Sequence, residues 1–329
     1  MKRRDFVRLL GGAGIAPFAA RAQRPGKMRR IAMLLGQTDA DVDAQSRLLP
    51  FKETLAQLGW TEGRNLSIEV RWSGGDIERA AVLARELVAE KPELIVCTTT
   101  PVTAALQRET RTIPIIFTAV SDPIGSGFVR TLSQPGGNIT GFINLEPSLI
   151  EKCLELLKQI APRVTRVAVM FNPNTAPYAE GYLRRLSTAA PKLRVKVFTA
   201  PVRSASDIEE AITGLGRAPG SGLIIMPDSF FGPHRKLLIA LAAGHKVPTT
   251  YFAARFVSDG GLSSYGPDVV DLWRRPAFHV DRILRGAKPA ELPVQQPSTF
   301  ELAINLKTAK ALGITISHSI MVRAEKVIE

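Results

Sequence analysis

Ser121-Asp122-Pro123-Ile124-Gly125-Ser126-Gly127 is followed by Phe128-Val129-Arg130-Thr131-Leu132 and then by Pro135-Gly136-Gly137-Asn138-Ile139-Thr140-Gly141. An apolar run, 113–120, precedes this stretch and reads as a buried strand. Pro123 fixes its own φ and keeps Asp122 extended, so the strand ends there and a turn begins. Gly136-Gly137-Asn138 is a turn of residues that tolerate positive φ. A short run, 139–143, follows, and then a helical pattern. Ser121 and Asp122 therefore stand at a strand's carboxyl end, the edge at which open α/β sheets hold their ligands.

Working outward, apolar runs of strand length alternate with helical patterns. Strands are expected at 30–35, 66–72, 94–97 and 113–120, with helices at 46–58, 77–89 and 98–108 between them. This alternation is the mark of βαβ units and a parallel sheet. The pattern then restarts, with helices at 149–160, 176–190, 205–215 and 233–244 and strands at 164–171, 195–198, 222–226 and 248–251. The chain thus reads as two doubly wound α/β domains. There is no internal sequence repeat.

The first residues read differently. Lys2-Arg3-Arg4-Asp5-Phe6-Val7 precedes a weakly apolar stretch, 9–20, and Ala20-Arg21-Ala22 fits a small-x-small cleavage site. That combination resembles a twin-arginine export signal over 1–22, cut near Ala22, and implies a periplasmic protein. The whole chain carries a net charge of +13, of which residues 1–22 hold about +4. Acidic residues interleave with most of the remaining cations, and no basic run with aromatic interleaving follows. The charge therefore reads as solvated faces, and no nucleic-acid partner is expected. Cys97 and Cys153 fall in a strand and in a helix of different halves and read as small buried residues. His234, His245, His279 and His318 show no ligand spacing, so neither metal nor cofactor is expected.

Asp122-Pro-Ile-Gly-Ser-Gly-Phe-Val, with Pro135 to Gly141, resembles the solute-binding proteins of bacterial ABC transporters, in particular the family with tryptophan- and tyrosine-binding members. Tyr265-Gly-Pro-Asp268 with 280–289, and the block 300–313, agree. The resemblance implies a type I periplasmic binding protein fold with three crossovers between two lobes. It places 29–141 plus 265–296 in one lobe and 142–264 plus 297–329 in the other. It also implies an inner-membrane ABC permease as partner and a monomeric protein closing on a small organic ligand.

No Gly-x-Ser-x-Gly, His-Glu-x-x-His or phosphate-loop motif is present, so an enzyme such as a sugar-nucleotide transferase is not indicated. A ligand-sensing protein that feeds a membrane sensor would share the fold. Binding chemistry is better represented. Gln37, Ser121, Asp122, Asn172, Asn174 and Asp228 stand at strand carboxyl ends. Thr98-Thr99-Thr100-Pro101 opens a helix whose free N–H groups suit a carboxylate. Asp228 or Asp122 would take an ammonium through a charge-assisted bond. Phe230, Phe231, Tyr251 and Tyr265 lie near second-half strand ends, and the first three are candidates for a ring contact. The set suits an amino acid with an aromatic or apolar side chain.

Overall fold

A computed structural model describes residues 28–144 and 148–329. The expected export signal lies outside these residues.

The first lobe is built from β1 (Arg29–Leu35), α1 (Val42–Gln57), β2 (Leu66–Trp72), α2 (Ile77–Ala89), β3 (Leu94–Thr98), α3 (Thr100–Glu109), β4 (Ile115–Val120) and β5 (Ile139–Ile143). The strands form a parallel sheet in the order β2-β1-β3-β4-β5. Every residue of β3 and β5 is buried, as expected of parallel strands covered on both faces. Asp76 caps α2 by accepting from the amides of Glu78 and Arg79.

The second lobe follows with α4 (Leu149–Ile160), β6 (Arg166–Phe171), α5 (Ala179–Ala189), β7 (Lys196–Pro201), α6 (Ala205–Arg217), β8 (Ser221–Ile225), α7 (Arg235–Gly244), β9 (Thr249–Tyr251), α8 (Ala254–Ser258) and β10 (Ser263–Pro267). The chain then returns to the first lobe as α9 (Val269–Arg274) and α10 (Pro276–Leu284). There Leu272, Trp273, Val280 and Leu284 share a core with Phe51, Leu55 and Phe142. It crosses once more for β11 (Phe300–Asn305), α11 (Leu306–Ala311), α12 (His318–Arg323) and β12 (Lys326–Ile328). The second sheet runs β12-β11-β10-β9-β8-β6-β7, and only β10 and β11 pair antiparallel.

Two boundaries differ from the sequence reading. Phe142 and Ile143 pair in β5 of the first sheet, so the chain leaves the first lobe after Ile143 rather than after Gly141. Tyr265 pairs with Leu302 inside the second sheet, so the return to the first lobe comes after Pro267 rather than at Tyr265. The three crossing segments are stitched together. The Ile143 amide donates to the Gln295 carbonyl at 3.0 Å, and the Asp268 amide to the Thr299 carbonyl at 3.1 Å.

The stretch that announces the fold folds largely upon itself. Asp122 accepts from the Gly125 amide at 2.8 Å, and the Phe128 amide donates to the Pro123 carbonyl. Phe128 and Val129 are thereby driven into the core. Gly141 closes the stretch in β5, where any Cβ would lie 2.1 Å from the Phe117 carbonyl of β4. No larger residue fits there.

Cys97 and Cys153 are both buried and unbridged, and burial pushes each thiol up to about 12. Among the described residues no helix is long and apolar enough to cross a membrane. Nor do three or more His, Cys, Asp or Glu side chains gather there as a metal site.

His279 of α10 packs beside the crossing at Gln295. It is 1% exposed, and its ring lies 4.7 Å from Phe142. Its Nε2 donates to the Pro293 carbonyl at 3.2 Å, while buried Nδ1 has no partner among the described residues. Burial lowers its pKa from 6.5 to about 4, and Arg282 and Arg275 add to the effect. The unfolded chain therefore binds a proton here that the folded chain refuses between these two values. The stabilisation from neutral His279 is complete above pH 6.5 and falls away as pH drops toward 4. The loss amounts to about 2–3 kcal/mol by pH 4.5. Denaturation midpoints measured at pH 7 and pH 4.5 should fall less in His279→Gln than in the wild type. Equal slopes would remove His279 from the acid response.

Candidate functional site

Because the strands feeding the cleft are parallel, their carboxyl ends meet between the lobes. They enclose a cavity of about 510 Å³. From the first lobe come Gly36 and Gln37 after β1, Thr99 and Thr100 after β3, Ala119 near the end of β4, and Asn144 after β5. From the second come Thr175 and Tyr178 after β6, Asp228 and Ser229 after β8, and Phe252 after β9. Helix α9 adds Val269, Leu272 and Trp273.

The first-lobe wall is backbone held under strain. Thr99 has φ 71° and ψ 152°, a region essentially reserved for glycine. Ala119, across the β3–β4 pair, has φ 57°. Two contacts hold Thr99 in place. Thr103 donates to its carbonyl at 2.8 Å, and its amide donates to the Thr118 carbonyl at 3.1 Å. The twist turns the Thr99 side chain over Gly36, where an added Cβ would stand 2.7 Å from Thr99 Oγ1. Glycine at 36 is what allows that approach. No side chain caps α3, so its first turn presents bare backbone at the cavity wall, with positive dipole character. Thr98 is fully buried and acts behind the wall. Its Oγ1 accepts from the Gly36 amide at 2.8 Å and donates to Gln37 Oε1 at 3.1 Å, which orients Gln37.

The opposite wall centres on Asp228, which is 5% exposed. Its carboxylate accepts from Thr175 Oγ1 at 2.5 Å, the Asn172 amide at 2.8 Å and the Phe230 amide at 3.0 Å. Burial raises its pKa, and the bonds from Thr175, Phe230 and Asn172 oppose that rise. A carboxylate has about four acceptor sites, so one remains for a cationic or donor group in the cavity. Tyr178 donates its hydroxyl to the Pro227 carbonyl. Burial, and then the charge of Asp228, raise its pKa, so it stays a neutral phenol. At the rim, Asp259 accepts from Arg235 at 2.6 Å and from Arg255 at 3.2 Å.

Of the side chains singled out in the sequence, Gln37, Thr99, Thr100 and Asp228 line this cavity, and Thr98 and Asn172 support it from behind. The others are placed elsewhere. Ser121 is buried and donates to Asn144 Oδ1 at 3.1 Å, so Asn144 takes the lining position. Asp122 accepts from the Gly125 amide of its own turn and lines a separate groove beside Tyr182 and Arg185. Asn174 donates its amide to Asn172 Oδ1 and completes a turn. Phe230 stacks on His234 at 4.4 Å, and Phe231 is fully buried in the core. Tyr251 stacks on Phe256 at 4.8 Å in the core, and Tyr265 lies against Phe300.

The aromatic wall is instead Trp273, Phe252 and Phe256. Two local signals point to these residues. Side chains alternate along an extended strand, so a Tyr251 turned into the core sends Phe252 the other way. Val269, Leu272 and Trp273 follow the i, i+3, i+4 spacing of one helix face, and α9 starts where the chain crosses between lobes.

The sequence profile of a family described as ABC transporter substrate binding protein matches residues 44–328. The chain belongs to that family. It is a family of solute-binding proteins rather than enzymes. A tyrosine-binding protein of Clostridioides difficile (strain R20291) is 28% identical over 265 residues, which cover 80% of this chain and 75% of that protein. A solved structure of an ABC domain in complex with L-Trp, from Streptococcus pneumonia, is 28% identical. It superimposes with a TM-score of 0.84, covering 92% of this chain and 100% of that one. A conserved domain protein from Vibrio cholerae O1 biovar El Tor str. N16961 has the same TM-score and coverage and is 31% identical.

In this substrate-binding protein the strain at Thr99 costs on the order of 1–3 kcal/mol. Thr99→Gly should therefore raise stability by roughly 1 kcal/mol, which the urea midpoint reads, while removing a hydroxyl from the cavity wall. A lower midpoint would show that the Thr99 side chain stabilises more than its backbone costs.

Proposed function

We propose that the protein is the exported receptor of an ABC importer, and that it closes on an amino acid with an aromatic or apolar side chain. One observation carries this reading. The cavity sets the buried carboxylate of Asp228 on one wall against the uncapped first turn of α3 at Thr99 and Thr100 on the other. A zwitterion matches both ends, its ammonium at Asp228 and its carboxylate at the helix N-terminus. Trp273 and Phe252 then offer apolar area to a side chain. The volume suits a small ligand. The tyrosine-binding relative and the L-Trp complex support the same class.

Closure is supported by the way the site is divided. Each lobe supplies one charged end, so ligand favours the state in which both are engaged. At the mouth the lobes come near each other. A Cβ on Gly75 of the first lobe would lie 3.9 Å from Pro233 of the second. Family membership supports a permease as the receiving partner. Arg3-Arg4 and the apolar stretch after them support export.

Calorimetry with L-Trp, L-Tyr and L-Leu tests the ligand class, and at least one should give saturable heat. Asp228→Asn, checked for an unchanged fold by circular dichroism, should weaken that ligand at least about thirtyfold, since a lost buried charge-assisted bond costs roughly 2–5 kcal/mol. Small-angle scattering on the same samples should show a smaller radius of gyration with ligand. No heat from any of the three rejects the class, unchanged affinity rejects the role of Asp228, and unchanged scattering rejects closure. For export, Arg3→Lys with Arg4→Lys should empty the periplasmic fraction, and undiminished mature protein there would rule out the twin-arginine route.

A further inference from the structure

The amino ends of the second-lobe strands form a pole on the side of that lobe away from the cleft. Four loops meet there, 161–166, 190–196, 217–221 and 244–248. They are tied by backbone bonds: Thr165 N to Gly220 O at 2.9 Å, Lys196 N to Thr165 O at 2.8 Å, and Leu223 N to Pro248 O at 2.9 Å. The loops carry Arg163, Lys192, Arg194, Lys196, Arg217 and Lys246, all exposed, and no Asp or Glu. Arg166 opens β6 directly opposite Lys196 of β7 and lies over the Phe198 ring at 4.8 Å. None of the seven joins a salt bridge among the described residues.

Two ordinary explanations fall short. Helices α4, α5, α6 and α7 end at this pole, and cations complement helix C-termini. Each terminus is worth about −0.5 of a charge, so four give roughly −2 against seven cations. Lys196 also protects the open edge of β7 from strand pairing, but Arg163, Arg217 and Lys246 are not on that strand. Like charges opposed across neighbouring strands, as at Arg166 and Lys196, are themselves unfavourable. The first lobe provides the contrast. At its strand amino ends Glu62, Glu90 and Glu93 stand among the cations and pair with Lys52, Arg71 and Arg29.

We propose that this pole of the second lobe is a docking surface for the anionic phospholipid headgroups of the membrane that holds the transporter. A substrate-binding protein of an ABC transporter works beside a bilayer, and an extended anionic surface matches a broad, exposed and acid-free cationic face. Clustered Lys and Arg near such a surface act additively, at about 1 kcal/mol each. Docking by the pole leaves the cleft uncovered and the first lobe free to swing. It confines the receptor to the membrane plane, and it does so whichever ligand fills the cavity.

Sedimentation with vesicles of three parts phosphatidylcholine to one part phosphatidylglycerol tests this, with pure phosphatidylcholine as reference. The full chain is used throughout, so Lys2, Arg3, Arg4 and Arg8 contribute equally to every variant. Binding should require phosphatidylglycerol and disappear at 0.5 M salt, where charges are screened within a few ångströms. Lys192→Glu with Lys196→Glu and Arg217→Glu should lower partitioning at least about tenfold. Arg64→Glu with Arg111→Glu on the first lobe should leave it unchanged. Melting curves confirm that both variants fold. Equal binding to both vesicle types, wild-type partitioning by the triple variant, or tighter binding to a single-stranded oligonucleotide than to anionic vesicles would each overturn the proposal.

Discussion

Two backbone hydrogen bonds, Ile143 N to Gln295 O and Asp268 N to Thr299 O, join the three segments that pass between the lobes. The sheets share no strand, so these short connections fix how the two carboxyl edges face each other. Neighbouring contacts strengthen the junction. Arg275 donates to the Gln296 carbonyl at 2.7 Å and to Gln295 Oε1 at 2.6 Å, and its guanidinium lies over Phe142. Tyr182 of the second lobe reaches the Ser121 carbonyl of the first at 3.2 Å. The cavity is the space left between two rigid bodies pinned on one side, and each wall is shaped by its own lobe.

The two walls achieve their shapes by different physics. On the first-lobe side the chain accepts unfavourable backbone angles at Thr99 and Ala119 and dispenses with a side chain at Gly36. Those choices expose helix amides where another loop would have covered them. On the second-lobe side a charge is taken out of water and held by three donors, two of them backbone amides. Such an anion is oriented before any ligand arrives, which lowers the reorganisation cost of binding.

The fold was legible because burial on both faces writes parallel strands as unbroken apolar runs. β3 and β8 show this most plainly. Charged and hydroxyl positions at strand ends were also legible, since the end of a parallel strand implies the edge it faces. That reasoning reaches Gln37, Thr99, Thr100 and Asp228. It fails for aromatics, because a Phe or Tyr near a strand end is equally useful to the core. Phe231 and Tyr251 went inward, while Phe252, one residue from Tyr251, lines the cavity. Trp273 was hidden for another reason. Its helix belongs to the first lobe but follows the second in sequence, so the face it shares with Val269 and Leu272 is legible while the cleft that face meets is not. Asp122 also stands at a strand end, but its carboxylate turns to the Gly125 amide and to a groove other than this cavity.

The interleaved path of the chain also has a consequence for how the molecule comes into being. Helices α9 and α10 complete the core under β1, β3 and β4, yet they are made only after most of the second lobe. Strand β11 enters the second sheet between β10 and β12 later still. Neither lobe can seal its interior while the ribosome is still adding the last quarter of the chain. Contacts between such distant segments carry a large loop-closure cost and slow the search for the native state. Until synthesis ends, the nascent molecule presents a first sheet with one apolar face still uncovered and a second sheet short of its last strands, a period in which a chaperone has something to hold.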